Sequence, residues 1–195
     1  MNHEHTPPSG HEREHDPDTT PAIYVASLAD YVNGRLHGTW IDATISVDAI
    51  QHEIQAMLAT SKEPAPEEWA IHDYENFGAL RLSEYESIER VAAIAENIKE
   101  KGPAFAAWLD YTGLDQEDWH YFDDAYLGEY DSLDAYAEQV IDDLGYDRIL
   151  DDALPESIRT YVKLDTHAMA QDLEASGEVF TVESDSGVYV FSSHY

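Results

Sequence analysis

The chain has 195 residues, with 41 Asp and Glu against 10 Lys and Arg, a formal charge of −31 and no cysteine. That charge repels phosphate backbones and anionic bilayers, so direct binding to nucleic acid or membrane is excluded as the expected role; without cysteine, disulfide and thiolate chemistry is excluded too. Thirteen Tyr, four Trp and five Phe with 43% hydrophobic residues argue against disorder, so the charge must be held by a folded surface that repels itself.

Residues 1–20 carry His3, His5, His11 and His15, Pro7, Pro8 and Pro17, and no apolar periodicity, and read as a disordered tail. The start lacks a basic segment and an apolar h-region, so no signal peptide is expected. No apolar run approaches the ~20 residues that span a bilayer, and a cytoplasmic location is expected. Residues 21–195 hold 36 acids and 9 bases, so the charge belongs to the folded part.

The first folded segment opens with a strand at Ala22 to Val25, an Asn33-Gly34 pair suited to a tight turn, and a second strand at Thr39 to Ala43. Ser46 stands as the N-cap of a helix with Ile50, Ile54, Met57 and Leu58 on one face, and Trp69 to Ile71 is a third strand. Ser83 and Glu86 have capping-box spacing ahead of a stripe of Ile88, Val91, Ala92, Ala95 and Ile98. Lys99 and Lys101 suit the end of that helix, and Gly102-Pro103 stops it. A further helix is expected from Ala104 to Tyr111, ending at Gly113.

The clearest helix follows Asp131-Ser132, with Leu133, Tyr136, Ala137, Val140, Ile141 and Leu144 on one face and Gly145 closing it. Another runs from about Asp165 to Ala175, and the chain ends in a hairpin, Val179 to Val182 and Val188 to Phe191 around a Ser184–Gly187 turn. The expected fold class is α+β, an elongated chain of three small domains. These are an α+β unit (21–79), a helical unit (80–118) and an α+β unit with the hairpin (119–195), and each is net negative.

Between Lys101 and Arg148 there is no Lys or Arg, while Asp110, Asp115, Glu117, Asp118, Asp123, Asp124, Glu129, Asp131, Asp134, Glu138, Asp142, Asp143 and Asp147 crowd the stretch; Asp151 and Asp152 follow. Asp134, Glu138 and Asp142 fall at i, i+4 and i+8, opposite the apolar stripe, raising one carboxylate about every 6 Å along the helix. Each like-charge pair at that spacing costs a few tenths of a kcal/mol. DNA presents one phosphate per ~3.4 Å of axis on each strand, and the neighbouring acids fill in the sparser ladder. The competing reading is a solvated acidic face that keeps the protein soluble, as in a halophilic or general acidic binding module.

Chemistry is poorly served. His11-Glu12-Arg13-Glu14-His15 matches the H-E-x-x-H zinc pattern but lies in the Pro- and Gly-bordered tail without the helix and third ligand a zinc site needs. His72-Asp73 reads as structural. A glycosidase-type carboxylate pair has no specificity among 41 acids, and there is no EF-hand loop, Walker A, G-x-G-x-x-G or G-x-S-x-G. Neither an enzyme, a metal nor a cofactor is expected.

IYVASLADYVNGRLHGTWIDA (Ile23 to Ala43), EEWAIHDYENFG (Glu67 to Gly78), LSEYESIERVAAIAENI (Leu82 to Ile98), YLGEYDSLDAYAEQVIDDLG (Tyr126 to Gly145) and the end from Tyr161 to Phe191 resemble, in order, the antirestriction protein ArdA family. The resemblance implies a DNA mimic carried by plasmids, transposons or phages, elongated, three-domain and dimeric through its C-terminal domain. It implies occupancy of the DNA-binding groove of type I restriction–modification enzymes, on their methyltransferase core. The family's antirestriction motif maps onto Asp131 to Gly145, and the acids named above are the expected mimic surface. For the homodimer contact the expectation is the strip from Asp124 to Tyr130, with Ala125 and Tyr126 packing closely.

Overall fold

The structure is a computed structural model and describes residues 19–195. The chain divides at Gly102/Pro103 into two compact units. The first is a three-stranded antiparallel sheet in the order β2-β1-β3, formed by β1 (Ala22–Ser27), β2 (Gly38–Asp42) and β3 (Trp69–Glu75). β1 is central, so Ala22, Ile23, Val25 and Ala26 are all buried in place of the alternation expected of a half-covered strand. A register shift between Tyr24 and Val25 leaves His72 of β3 outside the ladder, its ring edge-on to Tyr31 at 4.8 Å. That packing accounts for His72 structurally.

Asn33-Gly34 does not join the two strands directly. β1 runs into a short helix, α1 (Leu28–Val32), and Asn33 caps its C-terminus. The Ser27 hydroxyl accepts from the Asp30 N–H at 3.3 Å, nucleating the turn. The buried Asp30 carboxylate then accepts from the Ser61 hydroxyl, with the Arg35 Nε at 3.6 Å. Arg35 and Asn33 also meet Glu63, so the link between β1 and β2 is tied to the 61–63 loop. The Ser61 hydroxyl, with smaller help from Ser27, His37 and Arg35, holds the Asp30 carboxyl below its ordinary range against the opposing effect of burial.

α2 (Val47–Ala59), capped by Ser46 as expected, buries Ile50, Ile54, Met57 and Leu58 and packs on β1 and β2. α3 (Ile88–Lys101) packs on α2 and buries Ile88, Val91, Ala92, Ile94, Ala95 and Ile98. Its cap is Ser87, whose hydroxyl accepts from the Arg90 N–H at 3.2 Å. Ser83, expected in that role, instead builds a turn: its hydroxyl accepts from Tyr85 N and its carbonyl from Glu86 N. Two serines four residues apart compete, and the one adjoining the first buried residue wins. Gly102, at φ +79°, ends α3 in backbone that a residue with a Cβ rarely adopts.

The second unit begins with Pro103 as the first residue of α4 (Pro103–Thr112), followed by a 3-10 turn (Gln116–Tyr121) and α5 (Phe122–Ala125). The expected central segment 80–118 thus contributes α3 to the first unit and α4 to the second. The second sheet has the order β4-β6-β5, from β4 (Tyr126–Tyr130), β5 (Val179–Glu183) and β6 (Val188–Ser192), all antiparallel. Between β4 and β5 lie α6 (Leu133–Asp143), α7 (Tyr146–Ala153), α8 (Glu156–Arg159) and α9 (Thr166–Ala175).

The core of this unit is aromatic. Phe105 lies edge-on to Trp119 at 5.6 Å and to Phe122 at 5.5 Å, and Trp108 lies edge-on to Phe122 at 5.6 Å, a geometry worth ~0.5–1.5 kcal/mol per pair beyond burial. Phe191 and Val190 of the central strand β6 close it from the sheet side. Gly187 precedes β6 where a Cβ would come within 2.2 Å of the Tyr130 carbonyl oxygen, so only glycine lets the hairpin approach β4. Among the described residues no helix is long and apolar enough to cross a membrane.

The capping geometry predicts that Ser87→Ala lowers unfolding free energy in urea by about 1 kcal/mol, while Ser83→Ala, which leaves the helix cap intact, lowers it by less. Equal losses would reverse the assignment of the cap.

Candidate acidic interface

α6 forms because the Ser132 hydroxyl accepts from the Ala135 N–H at 3.2 Å and because Ala137 and Ile141 are buried on the face that packs against α9. Asp134, Glu138 and Asp142 are consequently exposed on one line of the helix, as the spacing predicts. Asp131 precedes the cap and Asp143 ends the helix, both exposed.

The other expected residues fall on other elements of the same unit. Asp110 lies on α4; Asp115, Glu117 and Asp118 begin the 3-10 turn; Asp123 and Asp124 occupy α5; Asp147, Asp151 and Asp152 lie on α7. All are exposed except Asp118, which is half-buried. Several sit in first turns, where a carboxylate faces the positive end of the helix dipole.

Side chains from other elements of the chain reach several of these carboxylates, and periodicity within one helix could not reveal them. Arg159 of α8 donates from Nη2 to Asp147 at 2.8 Å and from Nε to Asp151 at 2.6 Å, while its Nη1 donates to the Val162 carbonyl at 3.0 Å. One guanidinium therefore bridges two acids one helical turn apart. His167 of α9 places Nδ1 at 3.1 Å from Asp134, the first rung of the ladder, and its Nε2 is 3.1 Å from the Gln171 side-chain nitrogen. Glu129 accepts from the Ser184 and Ser186 hydroxyls, both at 2.6 Å, and so ties β4 to the hairpin turn. Those two hydroxyls, Ser184 first, hold the Glu129 carboxyl below the ordinary carboxylate range.

The two residues expected at a dimer contact differ sharply. Ala125 is fully buried within its own chain and offers no surface to a partner. Tyr126 is half-buried, stacked on Phe122 at 5.3 Å, and its hydroxyl titrates above the usual range because burial, and then the Glu129 charge, disfavours the phenolate. It begins β4, which lies at one edge of its sheet.

Among the described residues no group of three or more His, Asp and Glu is placed to hold a metal ion; the His11 to His15 pattern lies outside them.

The family model described as antirestriction protein (ArdA) matches residues 23–188. The chain belongs to the ArdA antirestriction family. A comparison with curated proteins gives no match. The match spans both compact units and takes in every acid named above, from Asp110 to Asp152. Antirestriction function comes with ArdA membership, as does a restriction–modification enzyme as the partner, and the family is one of inhibitors.

The Glu129 contacts set a pH dependence. Its folded pKa lies below its unfolded one, so its contribution is complete above the ordinary value of 4.5 and is lost as pH falls through the lower folded value. Hydrogen exchange at Ser184 to Gly187 should accelerate relative to β1 across that acid window, and Glu129→Gln should flatten the difference. An unchanged ratio in the wild type would show that the serine contacts do not hold the turn.

Proposed function

We propose that the protein inhibits a type I restriction–modification enzyme by mimicking DNA, its carboxylates standing where phosphates would and pairing with Lys and Arg in the groove of the methyltransferase core. The observation that carries this reading is the exposed line of Asp134, Glu138 and Asp142 on α6, flanked by acids on α4, α5 and α7 of the same unit. Inhibition is by occupancy, without catalysis or cofactor, and takes place in the cytoplasm against DNA entering with a mobile element. The family's antirestriction motif is assigned to Asp131 to Gly145.

Partly exposed ion pairs are each worth ~0–1 kcal/mol, and only their number gives tight binding. The affinity must then fall steeply with salt, since exposed charges are screened over about 10 Å at 0.1 M. A homodimer joined along 124–130 completes the proposal, with Tyr126 and the edge of β4 as the contact in place of the buried Ala125.

Labelled DNA on a purified type I methyltransferase core should be displaced by stoichiometric protein, less effectively as salt rises. Glu138→Gln should change the inhibition constant less than threefold, whereas neutralising six or more of the acids should weaken it by orders of magnitude. Absence of displacement at low salt, or abolition by Glu138→Gln alone, would overturn distributed mimicry. Tyr126→Glu should shift sedimentation from dimer to monomer; an unchanged dimer would place the contact elsewhere.

A further inference from the structure

The first unit contains a cavity of about 440 Å³ between α2, the start of β3 and the segment entering α3. Its floor is apolar: Ile54 and Ile88 line it and are almost fully buried. Trp69 and Tyr85 provide two aromatic walls, and Tyr85 is 70% exposed among the described residues. Gln51 and Gln55, one turn apart on α2, add two side-chain amides at the rim. Glu86 and Glu89 supply two carboxylates, and among the described residues no Lys or Arg lines the space.

The walls are positioned by backbone contacts. The Ile71 N–H donates to the Glu84 carbonyl at 2.9 Å, pinning the segment before α3 against β3, and the Ser83 hydroxyl accepts from Tyr85 N at 3.3 Å. The aromatic side chains therefore project from anchored backbone, and less ordering is left to be done on binding.

This combination selects a cation with a flat, polarisable face. Aromatic rings attract a cation through their quadrupole, and carboxylates beside them add charge and hydrogen-bond acceptors. The positive end of α3, about half a unit charge, and the Arg90 guanidinium beside Glu86 oppose a cation, so the attraction comes from Glu89 in the first turn together with the aromatic faces. Arg90 Nε forms an ion pair with Glu86 at 3.8 Å, longer than a hydrogen bond, while Glu89 lies exposed on the rim as the second carboxylate. A guanidinium fits better than an ammonium, because it stacks on aromatic faces and offers a planar fork to carboxylates and side-chain amides alike.

The geometry points to a discrete binding pocket for a single arginine side chain of a protein partner, on the first unit and separate from the acidic array. The site rests on the DNA-mimic reading only for whose arginine enters it.

The test is a titration of the full-length protein with the peptide acetyl-Gly-Arg-Gly-amide, and with the same peptide carrying neutral citrulline, followed by two-dimensional NMR. The arginine peptide should shift the Trp69 indole and the Gln51 and Gln55 side-chain amides saturably, before resonances of α6 respond. Citrulline should produce no saturable shift. The exposed-site variants Glu89→Gln and Tyr85→Ala, which leave the buried floor untouched, should each weaken binding roughly three- to tenfold. Equal shifts from citrulline, equal response along α6, or full affinity in both variants would overturn the pocket. No restriction enzyme is present in the titration, so its failure leaves groove competition standing, and failed competition leaves the pocket standing.

Discussion

Mutual repulsion among carboxylates is the constraint on which this fold depends. A formal charge of −31 cannot be relieved by 10 Lys and Arg, so stability must come from burial strong enough to tolerate the residue. The molecule meets this with two small, dense cores. One is aliphatic, built on Ile23, Val25, Ile50, Ile54, Val91 and Ile94; the other is aromatic, built on Phe105, Trp108, Trp119, Phe122 and Phe191. Full burial of one such side chain contributes ~1.5–3 kcal/mol, several times the few tenths lost at each like-charge helical pair. The acids of the α6 ladder are meanwhile held on an exposed face, where water and salt screen them.

The carboxylates nevertheless fall into two kinds. Asp30 and Glu129 are used internally, each satisfied chiefly by serine hydroxyls and each holding a link between distant segments. Asp147 and Asp151 are drawn together by Arg159, and Asp134 is met by His167. These contacts lie at the surface and add little stability individually. They link α8 to α7 and α9 to α6, beside the exposed charges of those helices.

A surface made only of such charges recognises basic grooves in general, with on-rate and salt dependence as its signature. Shape selectivity requires something less diffuse. In the first unit the aromatic pair Trp69 and Tyr85, over an apolar floor and beside Glu86 and Glu89, has the composition that protein interfaces use for anchors. The α6 acids and this pocket lie on different units of the chain.

What could be read from the linear chain were properties carried within one element. The charge, the amphipathic stripes of α2, α3 and α6, the cap at Ser46 and the final hairpin are all set by neighbours a few residues apart. The ladder on α6 belongs to this class because helical periodicity alone puts Asp134, Glu138 and Asp142 on one line. Tertiary structure decided the rest. Ala125 is buried because the second core closes over it, and α1 stands in the β1–β2 link because Asp30 meets Ser61, Arg35 and the Ser27 hydroxyl. Glu129 meets serines more than fifty residues away in sequence, and Arg159 reaches across from another helix. The cavity takes its walls from α2, β3 and the lead into α3, each ordinary on its own. Such contacts depend on chain segments meeting after long loops have closed, and no local period records which segments those are.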